Sequence, residues 1–278
     1  MDSPPRSILI TGCSSGIGLA SARLMKARGW RVFATARAPD DVASLKAEGF
    51  EAFPLDYRDA VSIETTLDRV LRRTDGTLDA LFNNGGYAQA GALEDITTDL
   101  IREQFETNLF GWHELTRRVI PLMRRQGAGR LVFCSSILGF VGVRYRGAYV
   151  ASKYAVEGMA DSLRAELHGT GIRVILIEPG PIQSNFRRTA LNQIDLTIDI
   201  DSSFHRDDYR RSLARRPDGT SASRFRKSPD AVAKVLARAL DKRRPAARYR
   251  VTVPTRVAWY LRRFLPTRAL DWIVRKEI

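Results

Sequence analysis

The sequence is poor in cysteine, histidine and lysine, and it contains no long apolar run. Cys13 and Cys134 are the only cysteines in 278 residues, too few for a disulfide framework or a cysteine-based zinc site. The three histidines, His113, His168 and His205, form no His-x-x-Glu-His pattern, so no metal site is expected. No apolar stretch reaches the ~18 residues that a membrane span requires. The opening residues Met1-Asp2-Ser3-Pro4-Pro5 lack the basic and apolar segments of a secretion signal, so a reduced, cytoplasmic protein is expected. With 44% hydrophobic and 27% charged residues, disordered and collagen-like classes are excluded. The length suits one large domain, 1–278, whose core needs no staples.

Basic residues are plentiful but unevenly placed. Lysine and arginine outnumber aspartate and glutamate by 45 − 31 = 14. Residues 1–200 carry 24 basic and 23 acidic side chains, and residues 201–278 carry 21 and 8. Nearly all the excess therefore lies at the C-terminal end. An anionic partner would explain it. So would an arginine-rich coding bias, since arginine outnumbers lysine 38 to 7. Nucleic acid is not expected as a partner, because no base-reading motif accompanies the charge.

Hydrophobic periodicity alternates between strand and helix. Short apolar strands are predicted over 7–11, 32–36, 52–55, 78–83, 130–135 and 172–177. Helical spacing falls between them, at 16–28, around 61–71, over 100–125 and over 148–168. This order predicts an α/β fold, a doubly wound parallel sheet with helices on both faces. Residues 182–228 are polar and without a clear period, and are expected to form an irregular substrate lid. Ser228-Pro229 starts a further helix through residue 240, with serine as its cap, and a last strand is predicted over 249–253. Residues 254–278 mix tryptophan and leucine with arginine and should form one or two amphipathic helices around Pro266. Covering the protein's own pocket or a subunit partner is favoured for this tail over peripheral contact with a membrane surface.

The first strand runs into Thr11-Gly12-Cys13-Ser14-Ser15-Gly16-Ile17-Gly18. Glycines allow a tight turn and close backbone approach, and the helix that follows aims free N–H groups at the turn, where a pyrophosphate would sit. The second strand ends without a carboxylate, and Arg37 stands one step beyond. A guanidinium there favours a 2′-phosphate, and so NADP(H) over NAD(H). The Asp40-Asp41 pair further on counts against this slightly. The same turn also matches Gly-x-Ser-x-Gly, the nucleophile elbow of a hydrolase, with Ser14 as nucleophile and His205 as a histidine of suitable order.

Tyr149 and Lys153 are spaced i, i+4 at the start of a helix and share one face. An ammonium there should lower the phenol's pKa and make a general acid/base. Ser135 and Ser136 end the preceding strand, at the edge where such sheets bind ligands.

Taken with Asn83-Asn84-Gly85-Gly86, Asn108 and Pro179-Gly180, these motifs resemble the short-chain dehydrogenase/reductase family, single-domain type, with its Rossmann-type sheet. The similarity covers roughly residues 6–190 and the helix and strand at 229–253. The resemblance implies hydride transfer between a carbonyl and an alcohol. Tyr149 would serve as proton donor, Ser136 would hold the reacting oxygen, Lys153 would tune the tyrosine and bind ribose, and Asn108 would hold a relay water. It implies that Gly12, Ser15, Gly16, Ile17 and Gly18 surround the pyrophosphate, and that Arg37 and Ser14 face the 2′-phosphate. Asp56 and Asn83 would lie on the adenosine side, Gly85 would also bind the cofactor, and Pro179, Gly180, Ile182 and Ser184 would lie at the nicotinamide. Gly85 replaces the family's usual alanine, a change expected to loosen that turn without removing a functional group. Ser184 stands where threonine is common. The overall pattern is similar to the hydroxysteroid and retinol dehydrogenase-like branch, which implies a bulky apolar substrate. A homodimer or homotetramer is expected by the same analogy. The remaining alternative is a cofactor-binding sensor or scaffold without turnover.

Overall fold

A computed structural model describes residues 5–214 and 225–275. The chain runs β1 (Ser7–Ile10), α1 (Gly16–Ala27), β2 (Arg31–Ala36), α2 (Pro39–Ala47), β3 (Glu51–Pro54), α3 (Ala60–Arg73) and β4 (Ala80–Asn83). It continues through α4 (Thr98–Phe105), a π-helical turn (Glu106–Phe110), α5 (Gly111–Gln126), β5 (Gly129–Cys134), α6 (Gly147–Glu166) and β6 (Ile172–Glu178). The last elements are α7 (Phe186–Thr197), α8 (Arg206–Ala214), α9 (Pro229–Asp241), β7 (Arg248–Arg250), α10 (Val253–Phe264) and α11 (Thr267–Arg275).

The seven strands form one parallel sheet in the order β3-β2-β1-β4-β5-β6-β7. The expected doubly wound α/β fold is thus present. Its central strands read as nearly unbroken apolar runs because both faces are covered: every residue of β1 and β4 is buried. Helices α1 and α9 pack together, while α3 packs on α5 and α4 on α6. The strand order reverses between β1 and β4, so their carboxyl ends open a crevice.

Three departures from the expected elements bear on that crevice. The lid region is more regular than its composition implies. Helix α7 buries Ala190, Leu191 and Ile194, and α8 buries Tyr209, so a narrow apolar stripe is enough to order otherwise polar segments. Residues 215–224 lie outside the described residues. The long helix expected over 100–125 is broken by the π-helical turn around Asn108, a widening that commonly re-aims a side chain at a functional site. The last strand is short, and α10 begins where the strand was expected to end. In α9, Ser228 occupies the cap position, but its hydroxyl donates to the Asp230 carboxylate at 3.1 Å.

Buried polar groups fasten the carboxyl ends of the strands. Tyr57, just past β3, donates its hydroxyl to Thr11 Oγ1 at 2.7 Å and lies 3.0 Å from Asn83 Oδ1. Asn83 Nδ2 donates to Thr116 Oγ1 of α5 at 3.0 Å. The Asn83 side chain is fully buried, so it braces the crevice from behind. Replacing Asn83 with Ala leaves the Tyr57 and Thr116 hydroxyls each short of a partner. Stability should fall by about 1–3 kcal/mol, seen as a lower urea midpoint with an unchanged m-value.

Candidate active site

The crevice is built from strand ends. After β1 the backbone turns through Gly12, at φ +68°, and Gly16, at φ +56°. A Cβ on Gly12 would sit 2.4 Å from the Gly85 Cα, and one on Gly18 would sit 2.1 Å from the Gly12 carbonyl oxygen. The turn is pressed against the loop after β4 and admits no side chain at either position. Cys13 points inward and donates Sγ–H to the Ile10 carbonyl at 3.2 Å. Ser14 and Ser15 are exposed on the outer side. Helix α1 starts at this turn with no acidic residue in its first turn and no side-chain cap on its N–H groups. A bare, positive helix end above a glycine cradle fits the pyrophosphate of a dinucleotide. Ile17 is half-buried against the core below.

Opposite the turn, Thr11 Oγ1 accepts from the backbone N–H groups of Asn84 at 2.9 Å and Gly85 at 3.1 Å. Asn84 Nδ2 returns a bond to the Thr11 carbonyl at 3.0 Å. A Cβ on Gly85 would meet Gly12 and Tyr57 atoms at 3.2 Å. This turn is therefore tightly held, and the glycine in place of alanine does not loosen it. Thr11, Tyr57 and Asn84 were not assigned roles by the motif reading. Thr11 was visible only as the residue before the first glycine.

On the adenosine side, exposed Arg37 follows β2. Asp56, after β3, accepts from the Arg58 backbone N–H at 3.0 Å and pairs with the Arg58 guanidinium at 3.3 Å. Burial pushes the Asp56 carboxyl up, but the bonds from Arg58 and the charges of Arg58 and Arg37 outweigh it and hold it below its ordinary range. Arg58 thus joins Arg37 as a second guanidinium at this edge. Asp40 and Asp41 lie in the first turn of α2, where the dipole of their own helix favours them.

At the other end of the crevice stand Ser136, Tyr149 and Lys153. Ser136 follows β5, and its Oγ accepts from the Leu138 N–H at 3.1 Å. The next residue, Ile137, donates its N–H to the Pro179 carbonyl at 2.8 Å, tying this turn to the segment after β6. Along that segment, Gly180 is packed against Thr252 and Thr255, Ile182 bridges Lys227, and Ser184 Cβ would lie 3.5 Å from a Cβ on Gly16. Tyr149 and Lys153 sit in the first turns of α6, both buried. Lys153 Nζ donates to the Cys134 carbonyl at 2.8 Å and lies 4.3 Å from the Trp112 ring centroid. Burial pulls the ammonium down to about 8, against the opposing pull of Cys134 and Glu157. The cation–π contact and the carbonyl are what burial leaves to hold the charge.

The phenol behaves differently from the sequence expectation. Burial pushes the Tyr149 pKa well above its ordinary value, with Cys134 adding to the rise, while a Ser136 hydrogen bond and the Arg146 charge oppose it. The Lys153 ammonium lies 5.6 Å from the Tyr149 ring centroid and does not reverse the effect. In the protein alone, Tyr149 stays protonated.

Asn108, in the π-helical turn, is fully buried. Its Nδ2 donates to the Tyr87 carbonyl at 2.9 Å, its Oδ1 accepts from the Tyr87 N–H at 3.2 Å, and Ser152 Oγ lies 3.4 Å from Nδ2. The amide therefore clamps the loop after β4. Gln104 clamps the same loop through the Tyr87 carbonyl at 3.0 Å and the Gln89 N–H at 2.6 Å. The lid closes over the phenol: Phe186 of α7 lies 5.4 Å from the Tyr149 ring, and Ala190, Leu191 and Ile194 join Tyr149 in one apolar cluster.

His205 is committed elsewhere. Its Nε2 pairs with Glu94 at 2.6 Å and its Nδ1 lies 3.2 Å from the Tyr145 hydroxyl, so the structure does not assemble a hydrolase around Ser14. Among the described residues no cluster could hold a metal ion, and no helix is long and apolar enough to cross a membrane.

Comparison with known proteins agrees with this geometry. Residues 6–195 match the short chain dehydrogenase family. The chain belongs to that family. It is 39% identical over 270 residues to the oxidoreductase YbbO of Escherichia coli (strain K12), covering 97% of this chain and 94% of that one. It is 33% identical over 267 residues to retinol dehydrogenase 8 of Bos taurus, covering 90% and 82%. A solved structure of a variant actinorhodin polyketide ketoreductase with NADPH superposes with a TM-score of 0.72 at 31% identity, covering 90% of this chain and 97% of that one. The protein is accordingly an oxidoreductase of the carbonyl/alcohol type that works with a nicotinamide dinucleotide.

One buried acid beneath the site makes a pH prediction. Glu157, one turn beyond Lys153, is raised to about 7 by burial and by Glu178, despite Ser135 and the pairing Arg248. Between its ordinary value of 4.5 and about 7, the folded state holds a proton that the unfolded state has released. Stability from this group is therefore complete below that window and lost as pH rises through it. Glu157→Gln should flatten the slope of unfolding free energy between those pH values in urea titrations; an unchanged slope would show that Glu157 is already ionised.

Proposed function

We propose that the protein reduces a bulky apolar ketone or aldehyde with NADPH. The observation that carries this reading is the placement of buried Tyr149 between Lys153, 5.6 Å from its ring centroid, and the apolar lid of α7. A phenol can give a carbonyl oxygen the proton it needs as the hydride arrives. Ser136 fixes the oxygen beside the phenol. Lys153, set on Trp112 and the Cys134 carbonyl, places a positive charge under the site that steadies the phenolate left behind. The nicotinamide dinucleotide, when bound, supplies the hydride. Gly12, Ser15, Gly16, Ile17 and Gly18 hold its pyrophosphate, and Pro179, Gly180, Ile182 and Ser184 flank its nicotinamide end.

The preference for NADPH rests on charge at the adenosine edge. Arg37 and Arg58 stand there with no carboxylate at the end of β2, and paired guanidiniums suit a 2′-phosphate. Ser14, exposed on the same turn, adds a hydroxyl. The ketoreductase of similar fold carries NADPH, in line with this choice. The apolar substrate class rests on Phe186 and the cluster of α7, and on a relative named for retinol.

The decisive assay is NADPH and NADH oxidation against a panel of bulky ketones and aldehydes. Tyr149→Phe should lower kcat by about 10²–10⁴ while NADPH fluorescence titration stays unchanged. Tight NADPH binding with no turnover on any carbonyl would favour the sensor reading. Arg37→Ala should weaken NADPH by roughly tenfold or more and leave NADH almost unaffected; an equal effect on both cofactors would overturn the 2′-phosphate assignment.

A further inference from the structure

Helix α10 carries its apolar stripe on the outside. Val253, Val257, Tyr260 and Phe264 recur at helical spacing on one face, and they are 51%, 49%, 58% and 76% exposed. The opposite side of the helix makes the contacts with the body of the protein. Thr255 is buried against Gly180, and the half-buried Trp259 receives the Arg250 guanidinium at 4.1 Å. The tail therefore does not fold its apolar face over the substrate pocket. Helix α11 repeats the arrangement: Leu270 is buried, while Arg268, Trp272 and Arg275 face outward at i, i+4 and i+7.

The flanks of the stripe are cationic. Helices α10 and α11 carry Arg256, Arg262, Arg263, Arg268 and Arg275 against the single acid Asp271. Beside the stripe, between α9, β7 and α10, lies a cleft of about 580 Å³ lined by Lys227, Lys234, Arg238, Arg256 and Tyr260. Arg248 and Arg250 also line it but are held by Glu157, Asp161 and Glu178, whereas the other four cations take part in no ion pair among the described residues. An exposed aliphatic and aromatic stripe bordered by unpaired arginines is the arrangement of a helix that lies in a lipid–water interface. A second copy of the chain meeting this face would set the same cations against one another. Valines at two of the four stripe positions offer nothing for a nucleic-acid base to stack on.

We propose that α10, α11 and the adjoining cleft form a docking surface for an anionic lipid bilayer. The stripe enters the interface, and the cleft and flanking arginines take lipid phosphates. The buried side of α10 rests on Gly180, so docking sets the strand-end crevice next to the bilayer. The proposal stands whether or not the assigned chemistry is correct.

The test is flotation of the whole protein with phosphatidylcholine vesicles and with vesicles containing phosphatidylglycerol, read alongside light scattering for oligomeric state. The protein should float with the anionic vesicles only and be released by high salt. Val257→Asp with Phe264→Asp should abolish flotation, and Arg262→Ala with Arg268→Ala should reduce partitioning by roughly thirtyfold. NADPH titration checks that each variant is folded. Flotation that persists in Val257→Asp/Phe264→Asp overturns the proposal. So does absence of flotation in the unaltered protein. If that absence comes with an oligomer that the aspartates dissociate, the stripe is instead an interface between copies.

Discussion

The Thr11 hydroxyl gathers the strand ends on which the whole site depends. It accepts from two backbone N–H groups of the loop after β4, and it lies 2.7 Å from the Tyr57 hydroxyl and 3.2 Å from the Phe82 carbonyl. A threonine meets these neighbours while staying small enough for the glycine turn to close above it. Because Thr11 draws the two loops together, Gly12 meets Gly85 backbone to backbone, and the helix end of α1 faces the crevice. Gly85, held there, offers its carbonyl to Trp112 Nε1 at 2.8 Å, and Trp112 in turn underlies Lys153. The glycine turn and the Tyr149–Lys153 pair are thus two ends of one chain of hydrogen bonds closed by a cation–π contact.

That chain also explains what could be read from the sequence and what could not. The parallel sheet was legible because apolar runs buried on both faces leave a strong signature, as in β1, β4 and β6. The glycine turn and the Tyr149–Lys153 pair were legible because their spacing fixes their geometry. The direction in which a polar side chain points is not carried by spacing. Asn83 and Asn108 are buried braces, a fact settled by Tyr57, Thr116 and the Tyr87 backbone, which are distant in sequence. The helices of the lid were hidden for another reason. Their buried stripes comprise three residues in α7 and one in α8, and arginines and aspartates around them mask the period.

The electrostatics of the site illustrate a contest in which burial outweighs proximity. A neighbouring ammonium favours a phenolate, but desolvation disfavours both charges. With Tyr149 and Lys153 buried together, the phenol rises and the ammonium falls. The proton therefore stays on the phenol in the protein alone. The same dry surroundings strengthen the hydrogen bonds made there.

The two cysteines flank this machinery without joining it. Cys13 sits in the glycine turn and Cys134 ends β5. Burial pushes their thiols up to about 12 and about 11. Neither presents a thiolate to solvent, so neither is a target for oxidants or alkylating agents while the strand ends stay closed. Each sulfur becomes a clock for local breathing. Modification of Cys13 times the opening of the glycine turn, and modification of Cys134 times the opening at the end of β5. The protein carries, at the two ends of its crevice, its own reporters of how often that crevice comes apart.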